Sequence, residues 1–267
     1  GVGVSVVNAL SVYLKVEVCR EGGLYEQEYV RGEVKKAVKK VGTCSPRSGY
    51  GGASKGSGTT VTFEPDPEIF KEIRFDWHLI LNHIRQQAYL TKGTRITVID
   101  QREPIKIEKS EKGKEHEHVV HPTHSFYFEG GIVSYVNFLN RHQELVNNNI
   151  FYVGKEQDKI FVEVALQYTT DMQGRELSFA NNVHTIEGGM HLTGFRSAIT
   201  RTLNDYARKN GFLKEKDENL SGEDIREGQT LIISVKLREP QFEGQTKAKL
   251  GTPDARTAVE TVINIEL

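Results

Sequence analysis

The fold is decided by the stretch Thr230-Leu231-Ile232-Ile233-Ser234-Val235-Lys236-Leu237 and by the polar loop after it, Gln241-Phe242-Glu243-Gly244-Gln245-Thr246-Lys247-Ala248-Lys249. The first part is apolar and rich in β-branched residues, which predicts a buried strand. Pro240 lacks a backbone donor and is expected to end this strand, and the glycine of the loop permits a tight turn. Gln245 and Lys247 are therefore predicted on a loop where a rigid scaffold holds polar side chains. Such a lysine suits a phosphate, but a solvated surface lysine is the simpler explanation of these residues alone.

The composition describes a globular chain of 267 residues, long enough for one large domain or two ordinary ones. Its net charge of -1 provides no general basic field, so any DNA contact must come from a local patch. Cys19 and Cys44 predict neither a disulfide framework nor a metal site, which fits a reducing compartment. No apolar run approaches the ~18 residues of a membrane span, and no signal peptide is expected because the residues after Gly1 lack a charged n-region. Both ends interrupt a pattern, so we expect a fragment of a longer protein.

The first residues predict an anion site. Gly1, Val2 and Gly3 form a glycine turn, and apolar residues at positions 4, 7 and 10 indicate that a short helix follows. Free N–H groups and the helix dipole attract anions at such a helix start. A plain turn is the alternative, and Val6 excludes a dinucleotide fingerprint because a third glycine is needed there.

Alternating apolar residues predict a first domain with an antiparallel sheet. Its strands are expected at 13–20, 24–30, 59–63 and 95–100. A helix is predicted over 76–90, with an apolar face made of Leu79, Ile80, Ile84 and Ala88. Arg20 ends the first strand, where it either points into a cleft or lies on the surface. The glycine- and serine-rich loop 44–58 contains Lys55 but not the residue order of a P-loop, so we reject that motif.

The segment 105–124 predicts a charged hairpin at a domain boundary. It carries four histidines, His116, His118, His121 and His124. Imidazole suits zinc, but no cysteine accompanies these residues and the surrounding Lys/Glu run favours a solvated hairpin.

Residues 125–267 predict a second domain around the buried strand. Further strands are expected at 151–153, 160–168 and 177–181, and helices at 132–140, 192–206, 222–227 and from Asp254 onward. The helix 192–206 repeats apolar residues at spacings of three and four, and Gly211 closes it. Arg196 and Arg201 lie off this apolar stripe and are expected to face outward. The last helix is expected to bury Ala258, Val259, Val262 and Ile263.

Five motifs in chain order carry a family resemblance. They are Gly1-Val2-Gly3-Val4-Ser5-Val6-Val7-Asn8-Ala9-Leu10-Ser11, Gly58-Thr59-Thr60-Val61-Thr62-Phe63-Glu64-Pro65-Asp66, Phe128-Glu129-Gly130-Gly131-Ile132, Gly188-Gly189 with His191-Leu192-Thr193-Gly194-Phe195-Arg196, and Gln241-Phe242-Glu243-Gly244-Gln245-Thr246-Lys247. Together they resemble the GHKL ATPases, and within them the ATPase subunits of type IIA DNA topoisomerases, nearest to the gyrase form. The resemblance implies an α+β fold: the C-terminal part of a GHKL ATPase α/β sandwich over 1–124, then a transducer domain over 125–267. The transducer is expected to resemble the second domain of a small-subunit ribosomal protein.

The resemblance also implies roles for single residues. By motif match, the nucleotide site draws on backbone N–H groups of Gly1, Val2, Gly3 and Val4 for the ATP phosphates, on Thr59 for the adenine pocket, and on Arg20 at the pocket edge, where aminocoumarin inhibitors bind in the family. Gln245 and Lys247 are expected to reach the γ-phosphate, and Lys247 to stabilise charge during phosphoryl transfer. Arg196, with Arg201, is expected to line the cavity that admits the transported DNA.

The same resemblance implies that some residues of the ATP site are missing from this chain. In the family, the general-base glutamate, the magnesium-binding asparagine and the adenine-binding aspartate precede the glycine motif. ATP and Mg²⁺ are therefore the expected cofactors, with no metal ligand in this chain, and the chain alone is expected not to hydrolyse ATP. The implied activity is ATP-dependent DNA supercoiling in the cytoplasm, away from membranes. The implied partners are duplex DNA, the gyrase A protein in an A2B2 heterotetramer, and a second ATPase domain that dimerises on ATP binding.

Three alternatives remain at this point. Topoisomerase IV, which decatenates DNA, is barely separable from gyrase over these residues. A GHKL chaperone or mismatch-repair clamp, which does not pass DNA strands, is the second alternative. The Gln-Thr-Lys loop argues against the chaperone, because the catalytic residue at the corresponding position of the chaperone is an arginine. A non-enzymatic DNA-binding module is disfavoured by the net charge of -1.

Overall fold

The computed structural model describes residues 2–44, 57–111 and 114–267, and within them it does not describe the side chains of 105–118. The loop predicted over 44–58, with Lys55, lies mostly outside the described residues. The chain forms two compact units, Gly1–Asp76 and Trp77–Leu267. The domain boundary that the sequence predicts near residue 124 stays a prediction.

The first unit is a four-stranded antiparallel sheet with one short helix. Its elements are α1 (Gly3–Ala9), β1 (Ser11–Arg20), β2 (Gly23–Val30), β3 (Glu33–Thr43) and β4 (Gly58–Pro65). Among the described residues the strand order is β3-β2-β1-β4. The Asp66 amide donates to the Leu10 carbonyl at 3.0 Å, which joins the end of α1 to the end of β4. The ion pair of Arg31 with Asp66, at 2.7 Å, adds a second tie at the same place.

Two features of this sheet differ from the sequence prediction. The edge strand β3 was not predicted, because it is rich in lysine and exposed along its whole length, as edge strands often are. The segment predicted as a strand at 95–100 does form β5 (Ile96–Ile99), but it belongs to the second unit and pairs with β8 (Thr123–Phe126).

The prediction of no disulfide was wrong. Cys19 and Cys44 are bonded to each other, with Cα atoms 5.9 Å apart and a sequence separation of 25. Cys19 is the penultimate residue of β1, and Cys44 directly follows β3. The strand β2 lies between β1 and β3, and the ladder sets Gly23 of β2 opposite Thr43 of β3. This pairing register brings the two sulfurs together.

The second unit holds the predicted central strand. Its helices are α2 (Trp77–Leu90), α3 (Ile132–Asn140), α4 (Met190–Lys209), α5 (Gly222–Arg226) and α6 (Pro253–Glu266), and its remaining strands are β6 (Ile105–Glu111), β7 (Lys114–Val120), β9 (Phe151–Gln157), β10 (Ile160–Tyr168), β11 (Arg175–Ala180), β12 (Val183–His184) and β13 (Gln229–Lys236). In the described part of the chain, the main sheet has the order β12-β11-β13-β10-β9. The strands β11 and β13 run parallel, and the other pairs are antiparallel. The strands β6 and β7 form the predicted hairpin.

The strand β13 is buried on both faces, which explains its continuous apolar sequence. Leu231, Ile233 and Val235 point to a core formed with α4 and α6. Ile232 points to the opposite core, which it shares with Tyr89 of α2 and with residues of α3. The sheet is therefore packed between two layers of helices.

The periodic segments of this unit match their predictions, with local exceptions. The helix α6 buries Ala258, Val259, Val262 and Ile263 as predicted, and Ser221 caps α5 by accepting from the Asp224 amide. The strand β13 ends at Lys236 rather than at Pro240, because the Asn181 side chain takes both backbone hydrogen bonds of Leu237. Leu79, predicted in the buried face of α2, is 70% exposed, whereas Ala88 is buried as predicted. Tyr89 and Leu90, which were not predicted in this face, are buried beside Ala88.

Candidate functional site

The predicted anion site lies at the start of α1. Gly1 falls outside the described residues. Val2 precedes the first helical residue, and no side chain caps this end of the helix. The first N–H groups of the helix, including those of Gly3 and Val4, therefore have no intrahelical acceptor. The side chains of Val2 and Val4 are 64% and 69% exposed, so this end of the helix is accessible.

Arg20 and Thr59 lie close together at one end of the same sheet. Val18 of β1 stands opposite Thr59 of β4, and Arg20 lies two residues beyond Val18. Because side chains alternate along a strand, all three point to the same face of the sheet. Arg20 is largely exposed and its nearest ion-pair partner is Glu21, at 3.4 Å.

An apolar groove of about 290 Å³ also lies in the first unit, beside α1. Its lining includes Val6, Val7, Leu10, Phe63, Phe70, Ile73 and Phe75. Phe63 is 45% exposed although it belongs to β4, so one surface of this unit is apolar and open to solvent.

The loop of Gln245 and Lys247 is a small hairpin rather than a free coil. Its arms are joined by the Gly251 amide donating to the Gln241 carbonyl at 2.8 Å, and by Glu243 pairing with residue 249. The Lys247 amide donates to the Gly244 carbonyl at 3.0 Å and closes a turn at the tip.

The backbone conformation of this turn differs from the sequence prediction. The left-handed residue is Lys247, with φ of 56°, and Gly244 does not use its conformational freedom. Lys247 is exposed, with its ammonium 5.7 Å from the Phe242 ring centre. Gln245 is also exposed at the tip.

The base of this loop is fixed to the start of α4. The Met190 amide donates to the Leu250 carbonyl at 2.8 Å, and the Leu250 amide donates to the Gly188 carbonyl at 3.1 Å. Gly189 has φ of 136°, and a Cβ atom there would lie 2.3 Å from the Leu250 oxygen. Gly189 therefore allows a close backbone contact that a residue with a Cβ atom would block.

The helix α4 carries both arginines predicted for a DNA cavity. Arg196 and Arg201 are exposed, as expected from their position off the apolar stripe. Arg196 is engaged by Glu176 of β11, whose carboxylate accepts from its Nε and Nη2 atoms. This hydrogen bonding raises the pKa of Arg196 further. A polar cavity of about 260 Å³ lies beside the pair and is also lined by Lys249. Tyr206, predicted on the buried stripe, is 58% exposed.

A buried polar network supports the start of α4 and was not predicted. The Ser178 and Thr185 hydroxyls lie 2.7 Å apart, and the Thr185 hydroxyl lies 3.3 Å from Nε2 of His191. His191 is completely buried, and its Nδ1 atom has no hydrogen-bond partner among the described residues. Burial lowers the pKa of His191 to about 4. The His191 residue of the motif is therefore a neutral group of the core.

The described side chains contain no cluster of histidine, cysteine, aspartate and glutamate able to hold a metal ion. The side chains of His116 and His118 lie outside the described residues. His124 packs on Phe126, with ring centres 4.5 Å apart. No described helix is long and apolar enough to cross a membrane.

A profile of the DNA gyrase B family matches residues 131–267, slightly more than half of the sequence. The chain belongs to the DNA gyrase B family. The B subunit of DNA gyrase from Clostridium acetobutylicum is 46% identical over 265 residues, which are 99% of this chain and 37% of that protein. The corresponding protein of Streptococcus pyogenes serotype M3 is 46% identical over 95% of this chain and 35% of its own length. The chain thus spans little more than a third of its curated gyrase relatives.

Solved structures agree with the family assignment. The 43K ATPase domain of Thermus thermophilus gyrase B, solved in complex with an aminocoumarin, is 38% identical with a TM-score of 0.75. That match covers 99% of this chain and 65% of the other. The topoisomerase IV ATP-binding domain of Francisella tularensis, at 23% identity and a TM-score of 0.76, shares the fold. The predicted α+β architecture is therefore confirmed.

Proposed function

We propose that this chain is part of the ATP-binding and hydrolysing subunit of a type IIA DNA topoisomerase, a DNA gyrase. In the whole protein, ATP binding would be coupled to the passage of duplex DNA and to negative supercoiling. The gyrase B family and the aminocoumarin-bound ATPase domain support this proposal. The 1–124 and 125–267 segments are proposed as the C-terminal part of the GHKL ATPase domain and the transducer domain.

The first unit is proposed to hold part of the nucleotide. The amides of Val2, Gly3 and Val4, at an end of α1 that no side chain caps, fit the phosphates, and Gly1 is proposed to join them. Thr59 and Arg20 share one face of the sheet and fit one side of a pocket. We propose that aminocoumarins bind at Arg20. The Mg²⁺ ligand is proposed to lie outside this chain, because the magnesium-binding asparagine of the family precedes the glycine motif.

The attachment of the Lys247 loop to α4 is the observation that supports the proposed coupling between the nucleotide and DNA. Lys247 and Gln245 are exposed at the tip of a hairpin whose base is hydrogen-bonded to Gly188 and Met190. A γ-phosphate bound by Lys247 would therefore pull on the backbone at the start of α4. Arg196 and Arg201 lie on that same helix, so a nucleotide contact at the tip acts mechanically on the residues proposed to contact DNA.

The remaining partners follow from the same proposal. They are duplex DNA at Arg196 and Arg201, the gyrase A protein in an A2B2 assembly, and a second ATPase domain after ATP binding. The proposed location is the cytoplasm; it rests on the gyrase B relatives and no longer on the cysteines, because Cys19 and Cys44 are bonded.

The full-length protein, combined with the gyrase A protein from the same organism, tests the proposal. We expect ATP-dependent negative supercoiling of a relaxed plasmid, inhibited by an aminocoumarin. Decatenation of linked circles without supercoiling would assign the chain to topoisomerase IV instead. Hydrolysis of ATP with neither activity would favour a GHKL protein without strand passage.

A further inference from the structure

Arg196, which is proposed to contact DNA, is held in an ion pair with Glu176. The Nε atom of Arg196 lies 3.2 Å and 3.1 Å from the two carboxylate oxygens, and the Nη2 atom also donates to the carboxylate. The Arg196 side chain is 45% exposed, whereas the Glu176 side chain is only 14% exposed. The carboxylate is therefore held by the protein, and the guanidinium is held by the carboxylate.

Two neighbours show that this pairing is selective. Arg201 lies on the same helix and is exposed, and the described part of the chain provides it with no ion-pair partner. Glu187 lines the same cavity as Glu176 and is exposed, and within the described residues it pairs with no cation. Of the two acidic residues at this cavity, Glu176 alone is positioned to neutralise an arginine.

We propose that Glu176 is an internal competitor of DNA phosphate for Arg196 and sets how strongly the surface of α4 that carries Arg196 holds duplex DNA. This inference rests on the proposed function. An arginine binds a carboxylate and a phosphate with the same two-point geometry, so one edge of the guanidinium cannot serve both. Glu176 occupies the edge formed by Nε and Nη2. A phosphate must displace Glu176 from that edge or bind only the remaining donors.

The competition has a measurable signature. Each cationic side chain that neutralises a phosphate releases condensed counterions, which makes binding more sensitive to salt by a slope of about one per contact. A guanidinium already neutralised by Glu176 contributes little to this slope. Weak retention is useful for an enzyme that passes duplex DNA onward, because the protein must also release the duplex.

The test uses the full-length protein and a short fluorescent DNA duplex, with affinity measured between about 50 and 200 mM salt. Glu176→Gln keeps the shape of the side chain and frees Arg196. We expect several-fold tighter binding at low salt and a salt slope steeper by about one. Glu187→Gln changes the net charge equally at the same cavity and should change the slope by much less. The double variant Glu176→Gln with Arg196→Gln should lose the gain.

The outcomes distinguish the competitor role of Glu176 from the proposed DNA contact of the two arginines. If Glu176→Gln behaves like Glu187→Gln while Arg196→Gln and Arg201→Gln weaken binding, the competitor role is wrong and the proposed DNA contact of the arginines stands. If neither arginine variant changes affinity or slope, the DNA cavity itself is wrong. If Glu176→Gln binds DNA more weakly and with a shallower salt slope, the competitor role is wrong. Glu176 would then be a residue that orients Arg196 for DNA. Thermal unfolding of each variant identifies any loss that comes from misfolding.

Discussion

At the residue scale, Lys247 combines an exposed ammonium with a backbone that only a few non-glycine residues adopt. Its φ of 56° and the hydrogen bond to Gly244 fix where the side chain starts. We predict that Lys247→Ala in the full-length protein lowers ATP turnover by ~10²–10³-fold, because a preorganised cation for the transferring phosphoryl group is lost. Binding of a non-hydrolysable ATP analogue should weaken less, since the amides of α1 and the face of Arg20 remain.

Lys159→Ala is the matched control for this prediction. Lys159 is also exposed and left-handed, with φ of 65°, and it lies in the turn between β9 and β10. Its replacement changes charge and backbone preference equally and should leave turnover unchanged. Lys247→Arg should rescue only in part, because a planar fork does not replace a point charge. Normal turnover in Lys247→Ala would make Lys247 a solvated loop residue.

His191 predicts how stability depends on pH. Its pKa is lowered from 6.5 to about 4 by burial, so between these values the unfolded chain binds a proton that the folded chain excludes. Stability is therefore complete above the unfolded value and is lost as pH falls from 6.5 toward 4, by roughly 3 kcal/mol in total.

Urea unfolding at several pH values measures this loss. His191→Gln should be less stable at neutral pH but should show a smaller decline between pH 6.5 and 4. Burial also lowers the pKa of His184, so this residue contributes part of the decline in stability that remains in the variant. An unchanged decline in the His191 variant would contradict the assignment.

At the element scale, the contact between the loop and α4 depends on Gly189. A Cβ atom at this position would lie 2.3 Å from the Leu250 oxygen and 2.5 Å from its nitrogen. We predict that Gly189→Ala lowers the free energy of unfolding by about 3 kcal/mol or more, because backbone strain and a backbone clash add together.

Gly211→Ala provides the comparison for Gly189. Gly211 has φ of 76°, but nothing lies within 4 Å of the position that a Cβ atom would take, so only the left-handed strain of about 1–2 kcal/mol applies. Chemical unfolding of both variants tests the difference. Equal losses would mean that the α4 contact yields easily to a methyl group.

The disulfide is expected to stabilise the first unit against unfolding. A bond between cysteines 25 residues apart restricts the unfolded chain and contributes roughly 3–4 kcal/mol. We expect the thermal transition of this unit to fall when a thiol reductant is added. Cys44→Ser should have the lower transition with or without reductant. Two thiols that titrate freely in the non-reduced native protein would contradict the bond.

The sequence predicted the buried periodic elements well and the exposed or long-range features poorly. The strand β10 has its predicted bounds, and α6 buries its predicted face, because a packed element must repeat its apolar pattern. The lysine-rich β3 has no such pattern. Three contacts depend on tertiary arrangement rather than on local sequence: the Cys19–Cys44 bond, the Arg196–Glu176 pair, and the attachment of Leu250 to Gly189. Of the candidate site, the sequence thus predicted the exposed loop of Lys247 and the outward-facing arginines of α4, but not the partners of these residues.

At the scale of the whole molecule, each unit carries a different part of the proposed chemistry. The first unit offers amides and the Arg20 face, and its apolar groove is open to solvent. The second unit offers Lys247 at a loop tip and the arginines of α4. Neither unit contains a described cluster that fits a metal ion. The proposed phosphate contacts and the proposed cation therefore come from these residues, whereas the general base and the magnesium ligand that the family resemblance implies precede the glycine motif.

We accordingly predict that residues 1–267 alone do not sustain ATP hydrolysis, although the full-length protein does. In-line attack on the γ-phosphate needs an oriented water and a magnesium ion that neutralises developing charge, and positioned cations alone do not replace them. Phosphate release by the purified chain with Mg²⁺ and ATP should equal the buffer rate, while the full-length protein turns over under the same conditions. The Lys247→Ala form of the same chain is the control for contamination. Turnover that persists in this form comes from another ATPase, whereas turnover that Lys247→Ala abolishes would show that these residues form a complete catalytic site.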